Sequence, residues 1–400
     1  QHSAMQPDAD LTIDNAGSFK VHATALAHGA TQGIANAYVE GMVVYWNGGT
    51  ATLDVSNSGI LDVSAFAQAS DIAGVYLTGL KISSEAVLTG VVDNTGTIKV
   101  LAKADVTAAG TAAVGYAYAT AVDIYATSNT VTLNNTGVIQ ADAVVDGGTS
   151  VNAVGVHIGG GYGEDDDQFV LNNLAGNIIA RQSTDLGASY KWGTAIETDS
   201  SSTPALINLM GNGSTYTGLY PGVPLKDPQF GYVYGNIEIK QADTIVVSKG
   251  ETWYDGTINA QDRREQLSKD DLPDSAAPSA VVQLGEADGA LIIKTDGLLF
   301  LLDDRYNFVT SKDYSGPSKV NVDTFTIEGK GVLALHLPGS KPGAVVLDDY
   351  PQVYANTVNL DPDGKGNEAI LEVRQASANG LYENHYRYEN VVTALSGEDG

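Results

Sequence analysis

An Asn-x-Gly corner followed by a strict alternation of apolar and polar residues recurs along the first half of this chain, and it constrains the fold more than any other feature. The clearest copy is "NTGTIKVLAKADV" at 94–106. With the Gly of each copy as anchor, Gly17, Gly59, Gly96, Gly137 and Gly176 lie 42, 37, 41 and 39 residues apart. Five copies near one spacing mark a repeat architecture, and that outranks any residue-level reading. Asn15, Asn57, Asn94 and Asn135 each stand two residues before their Gly, while the fifth copy, "NNLAG", carries one residue more.

Behind each corner the apolar residues fall at every second position. They are Phe19, Val21, Ala23, Ala25 and Ala27 in the first copy and Leu61, Val63, Ala65, Ala67 and Ala69 in the second. The third has Ile98, Val100, Ala102, Ala104 and Val106, and the fourth Ile139, Ala141, Ala143, Val145 and Gly147. The fifth starts with Ile178 and Ala180 and decays to Gln182 and Thr184. A period of two over ten residues predicts a strand with one buried face, and the drop from large residues to Ala predicts an interior that tapers. Asn and Gly tolerate positive φ, so each corner is expected to turn the chain sharply, with stacked Asn side chains bonding in a ladder.

Each unit has a second strand opened by Gly33, Gly74, Gly115, Gly155 or Gly193, and a third just before the Asn, as in "ATLDVSN". Three strands in about 40 residues predict the wide coil of an all-β, right-handed parallel β-helix, with two thinner coils per unit as the alternative. Pro7 is followed by no proline until Pro204, and the other eleven lie from there to Pro362. The expected organisation is therefore a β-solenoid over 1–203, a loop or cap over 204–229, and an irregular β-rich region over 230–400. Within the last, the polar segment Asn259–Ser279 is expected to be an exposed excursion.

Four hundred residues exceed one ordinary core, which agrees with an elongated repeat. A net charge of -27 argues against nucleic acid or an anionic membrane surface as partner and suits a soluble or cation-binding surface. The absence of Cys excludes disulfides, thiolate nucleophiles and zinc–thiolate sites. No apolar run reaches the roughly 18 residues of a spanning helix, so direct membrane insertion of this segment is not expected. The first residues, "QHSAMQPDAD", lack an initiator Met, as in a mature protein after signal-peptide removal.

Three late segments carry a resemblance. "VDTFTIEGKGVLALHLPG" (Val322–Gly339), "VYANTVNLD" (Val353–Asp361) and "AILEVRQASANGLYENHYRYENVVTAL" (Ala369–Leu395) resemble, in order and pattern, the end of the secreted passenger of classical bacterial autotransporters of sphingomonad-like type. The Asn-x-Gly units resemble the β-helical stem of that family. The resemblance implies an extracellular or cell-surface location and an outer-membrane β-barrel, and no barrel-type strands follow Leu395. It implies adhesion or self-association rather than catalysis, with another copy or a cell-surface polysaccharide as partner. A surface-layer or fibre subunit assembling with calcium is the alternative, and a polysaccharide-active β-helix enzyme the next.

Catalytic motifs are lacking. A carbohydrate-active β-helix needs carboxylates converging on one face. Position +3 after the anchor Gly reads Lys20, Asp62, Lys99, Gln140 and Ile179, which is no acidic column. Ser214 lacks the Gly-x-Ser-x-Gly context, and His2, His22, His28, His157, His336 and His385 show no metal-ligand spacing. No cofactor is required, with calcium the one cation to weigh. Asp361, Asp363, Asn367 and Glu368 offer oxygen ligands in a Gly-containing turn, and Glu164, Asp165, Asp166 and Asp167 form a second acidic loop. A bare acidic turn and a solvated run are the corresponding plain alternatives. Tyr38, Tyr45, Tyr76, Tyr116, Tyr118, Tyr125 and Tyr162, with Trp46, gather in or after the second strand of each unit. There they would either stack on sugars or another copy, or cover the coil's own loops.

Overall fold

The computed structural model describes residues 8–27, 33–107, 114–146, 150–160, 168–198, 204–212, 230–240, 243–260, 289–302, 315–337, 351–360, 369–376 and 382–389. Among them there is no helix. The first coil is β1 (Ala9–Asn15), β2 (Ser18–Leu26) and β3 (Ile34–Trp46), followed by β4 (Ala51–Asn57), β5 (Ile60–Ala69) and the long β6 (Ile72–Asn94). Then come β7 (Thr97–Val106), β8 (Val114–Asn135), β9 (Val138–Asp146), β10 (Ser150–Gly160), β11 (Phe169–Leu174) and β12 (Asn177–Ser183). The next are β13 (Lys191–Trp192), β14 (Thr194–Thr198), β15 (Ala205–Met210), β16 (Gly231–Tyr234), β17 (Asn236–Ile239), β18 (Thr244–Asp255) and β19 (Thr257–Ala260). The last are β20 (Ala290–Leu301), β21 (Lys319–Ile327), β22 (Val332–Leu337), β23 (Gln352–Asn359), β24 (Ile370–Ala376) and β25 (Tyr382–Glu389).

Parallel pairing sorts these strands into three walls. The first is β3–β6–β8–β10–β14–β17–β19–β21–β23. The second is β1–β4–β6–β8–β11–β15–β18–β20–β21, in which β6 and β8 each bend round from the first wall. The third is β2–β5–β7–β9–β12–β16–β18–β20–β22–β24, with β25 closing its end antiparallel to β24. The protein is a parallel β-solenoid of about seven turns with about 38 residues per turn, wide three-strand coils rather than thin ones. The pairing continues through and beyond the Pro-rich boundary, with register shifts around it at Thr194/Ile196, Leu209/Met210 and Val247/Lys249. Ala205–Met210, at the start of the expected cap, is strand β15, while 213–229 and 261–288 lie outside the described residues.

The alternation behind each corner has the expected sense. Leu61, Val63, Ala65, Ala67 and Ala69 point inward and are buried, as are their register partners Ile98, Val100, Ala102, Ala104 and Val106. The Ala end of the third wall runs into the Ser70–Asp71 turn, with Ala69 and Ala73 buried on either side of it. Two walls meeting at a corner leave room for little more than a methyl group, which accounts for the taper. In the first coil the same positions are only half covered, and Phe19 remains 41% exposed, because no described strand lies beneath β1–β3.

The corner itself works differently from the sequence expectation. None of Gly17, Gly59, Gly96, Gly137 and Gly176 has a positive φ, nor does any of the corner asparagines. What demands glycine is the approach of the neighbouring coil: a Cβ on Gly59 would lie 1.9 Å from the carbonyl oxygen of Gly17, and one on Gly96 2.1 Å from that of Gly59. The fifth corner absorbs its extra residue by placing Ala175 at φ 51. The asparagine ladder is present and continuous. Asn15 donates to Asn57 at 2.7 Å, Asn57 to Asn94 at 2.6 Å, Asn94 to Asn135 at 2.8 Å and Asn135 to Asn173 at 2.7 Å, and Asn173 ends it on the Gly176 carbonyl at 2.9 Å. Asn57, Asn94 and Asn135 thus spend Oδ1 on one coil and Nδ2 on the next, which fixes register between layers.

Candidate functional site

The outward face of the first wall holds the chemistry. Alternation along β3, β6 and β8 turns Tyr38, Tyr76 and Tyr118 outward, and parallel pairing stacks them in register. Their ring centroids are 4.8 and 5.0 Å apart with interplanar angles of 6° and 5°. The stack repeats at the strand spacing, so it arises whenever three consecutive coils place Tyr at one position.

Tyr116, two residues before Tyr118, falls opposite Gly74, whose missing side chain makes room for it. A Cβ on Gly74 would sit 2.1 Å from the Tyr116 ring. The ring lies across that gap, tilted 52° to Tyr76, and its hydroxyl donates to Asn36 Oδ1 in the coil beyond at 2.7 Å. Tyr118 Oη and Ser150 Oγ share a hydrogen bond of 2.7 Å. Loss of surrounding water raises the Tyr76 and Tyr116 phenols above their ordinary value, and the neighbouring rings add to it, so both stay protonated near neutrality.

Stacking face to face uses up ring faces. Tyr76 is covered on both sides, Tyr118 lies between Tyr76 and the coil carrying Asn152, and Tyr38 has one face toward Tyr76 and the other toward solvent at the edge strand β3. Tyr38 is accordingly 69% exposed and Tyr76 39%. Hydroxyls and ring edges line the flank, and Tyr38 leaves a ring face open at its N-terminal end.

Past Glu40, Thr78 and Thr120 the alternation slips. Two consecutive residues turn inward, Gly41 and Met42, then Gly79 and Leu80, then Ala121 and Val122, and the wall bends. A Cβ on Gly79 would stand 2.5 Å from the Ala121 carbonyl oxygen, so the bend needs a small residue before the large one. Beyond it lies a polar row, Lys81–Asp123–His157–Glu197–Glu238–Asn259, in successive coils. Lys81 pairs with Glu40 at 2.8 Å, His157 Nδ1 with Asp123 Oδ1 at 2.8 Å, and Asn259 donates to Glu238 at 3.2 Å. Such a row puts carboxylates on one face, as the acidic column sought behind the Asn-x-Gly corners would have done, but on a different wall.

The other sequence candidates divide. Tyr45 is exposed and donates to Glu85 at 2.9 Å, Tyr125 is its counterpart two coils on, and both lie past the bend. Trp46 packs over Gly48 and donates to the Gly49 carbonyl at 2.8 Å, a local covering role. His22 is exposed and bonded to Ser64. Tyr162, Ser214, Asp361, Asp363, Asn367, Glu368, Glu164, Asp165, Asp166 and Asp167 lie outside the described residues. Among the described residues no group of three or more His, Asp or Glu side chains converges to hold a metal ion. Asn36 and the Asp123–His157–Glu197 row went unrecognised in the sequence, and Gly74 was read there only as a strand opener. Tabulating the outward positions of the second strand, as was done for the inward positions of the first, would have found them.

No family model, no curated protein and no solved structure matches this chain.

Proposed function

We propose that this chain is a non-enzymatic, cell-surface or secreted passenger of the autotransporter type, acting in adhesion or self-association through the lateral face of its first wall. The observation that carries the proposal is the outward tyrosine cluster, Tyr38, Tyr76, Tyr116 and Tyr118, ordered by stacking on a wall that runs from β3 to β23. A flank of this kind offers many weak contacts along a rod, and such contacts add by multivalency. Ordered side chains also lose little rotamer freedom on docking. Negative-stain electron microscopy and sedimentation of the purified chain, with binding to immobilised neutral and acidic polysaccharides, test this. Laterally associated rods or polysaccharide retention is expected, and monodisperse rods retained on no matrix would refute it.

A second reading, a polysaccharide-active β-helix, is favoured by the Asp123–His157–Glu197–Glu238 row. Glycoside cleavage needs two carboxylates flanking the scissile bond, and lyases a base beside it. Release of reducing ends or unsaturated products, abolished in Glu197→Gln, would establish it; no turnover on a broad polysaccharide panel would exclude it.

A further inference from the structure

We propose that the open face of Tyr38 is the docking point for a single neutral hexopyranose ring, which lies on the end of the tyrosine stack as a fourth member. This rests on the adhesive reading and names its ligand.

Tyr38 closes the stack at the edge strand, with one ring face covered by Tyr76 at 4.8 Å and the other in solvent. A flat, C–H-rich sugar face meets an aromatic face by dispersion and by attraction of its polarised C–H groups to the ring's negative face. Two polar side chains share Tyr38's row on β3, Asn36 on one side and Glu40 on the other, each about 7 Å along the strand. Asn36 is held by the Tyr116 hydroxyl bonding its Oδ1, which turns the Nδ2 donor away from that contact. Glu40 is fixed by Lys81 through Oε1 and has Oε2 to accept from a hydroxyl. An aromatic floor between an amide donor and a carboxylate acceptor matches the rim of a pyranose, where each hydroxyl both donates and accepts.

The charge selects the sugar. A net charge of -27 repels a uronic or sialic acid at a distance, and Glu40 Oε2, with Lys81 on Oε1, can accept from a sugar hydroxyl but not from a carboxylate. An extended peptide adding to the β3 edge is the competing occupant, and the titration below separates the two. Ala35, Ala37 and Val44 are buried without a further coil, while Val39 and Met42 on the same inward side are partly buried. The outward row of β3, led by Tyr38, is its most exposed part.

The test is saturation-transfer NMR and titration of the full chain with methyl β-glucopyranoside, with methyl β-glucuronide and with a tyrosine-containing hexapeptide. It is run on wild type and on the Tyr38→Ala, Tyr38→Trp and Tyr118→Ala variants. Tyr118→Ala perturbs the stack without touching its open face, and thermal melts confirm that each variant is folded. The glucoside should bind, lose about tenfold in affinity in Tyr38→Ala, bind more tightly in Tyr38→Trp, and outcompete the glucuronide. Glucoside binding unaffected by Tyr38→Ala, equal binding of the glucuronide, or Tyr38-dependent binding of the peptide alone would each overturn the proposal. If Tyr38→Ala binds the glucoside as wild type does while wild type self-associates or is retained on polysaccharide, the adhesive reading stands and this site falls; if wild type does neither, the adhesive reading itself falls.

Discussion

Replacing Asn94 with Ala tests the ladder at its middle. Asn94 is 1% exposed, accepts from Asn57 Nδ2 at 2.6 Å, and donates to Asn135 Oδ1 at 2.8 Å. Asn94→Ala deletes three bonds, the third from Nδ2 to the Val138 carbonyl at 3.3 Å, worth about 1 kcal/mol each net, and leaves a donor on Asn57 and an acceptor on Asn135, both buried, without those partners. We expect a loss of about 3 kcal/mol. Asn15→Ala at the open end removes one bond and strands one acceptor, so about 1 kcal/mol is expected. Because a solenoid unfolds by nearest-neighbour units, the assay is hydrogen exchange by mass spectrometry of β4, β7 and β9 peptides, beside a urea melt. Equal losses for the two variants, or no measurable loss for Asn94→Ala, would refute the account of the ladder as a register lock. Asn94→Asp adds a check. The carboxylate still accepts from Asn57 but cannot donate to Asn135, so this variant should be weakest at neutral pH and recover as acid protonates it.

Three further outcomes are expected. Arg374 is fully buried, bonded to Glu251 at 2.5 Å and Glu372 at 2.6 Å, and lies over Phe300, with Ala334 between Phe300 and Glu372 in the column. Arg374→Met leaves two carboxylates without their cation and should cost about 3 kcal/mol in the exchange protection of β20–β24; unchanged protection would rule out the triad as the clasp of the last coils. Asp185 is held at about 2, against an ordinary 3.8, by hydrogen bonds from Ser183 and Ser189. Its stabilisation is therefore complete above about pH 4 and is lost as pH falls towards 2, so wild type should outlast Asp185→Asn in melts at pH 6 and match it near pH 2; a gap unchanged by pH would contradict this. If the acidic turns at Glu164–Asp167 and Asp361–Glu368 bind calcium, a chelator should lower the melting temperature, and an unchanged melt would retire that expectation.

Much of the fold was legible because a solenoid is a local rule repeated. The period of two behind Gly59, Gly96 and Gly137 names the buried face, and the spacing of the glycines gives the strand partners along the third wall from β2 to β12. The Asn-x-Gly corner was legible as a corner and as a ladder, but the requirement for glycine was assigned to φ when it comes from the next coil's carbonyl oxygen. That distance depends on stacking, which no single repeat encodes. The bend at Gly79–Leu80 escaped notice because two adjacent inward residues read in sequence as a lapse of alternation.

Sequence by itself determined that the chain is all-β, repeats at spacings of 37 to 42 residues and buries every second residue behind its corners, because strand period and repeat spacing are local quantities. It also determined that tyrosines collect in the second strand. Which of them touch was decided by tertiary structure. Parallel register brings Tyr38, Tyr76 and Tyr118 into one column, Gly74 lets Tyr116 cross to Asn36, and the bend sends Tyr45 and Tyr125 to another surface. Residues 37 to 42 apart in the chain become neighbours about 4.8 Å apart only when coils stack, so the pairing of side chains on the outer face is a property of the assembled rod.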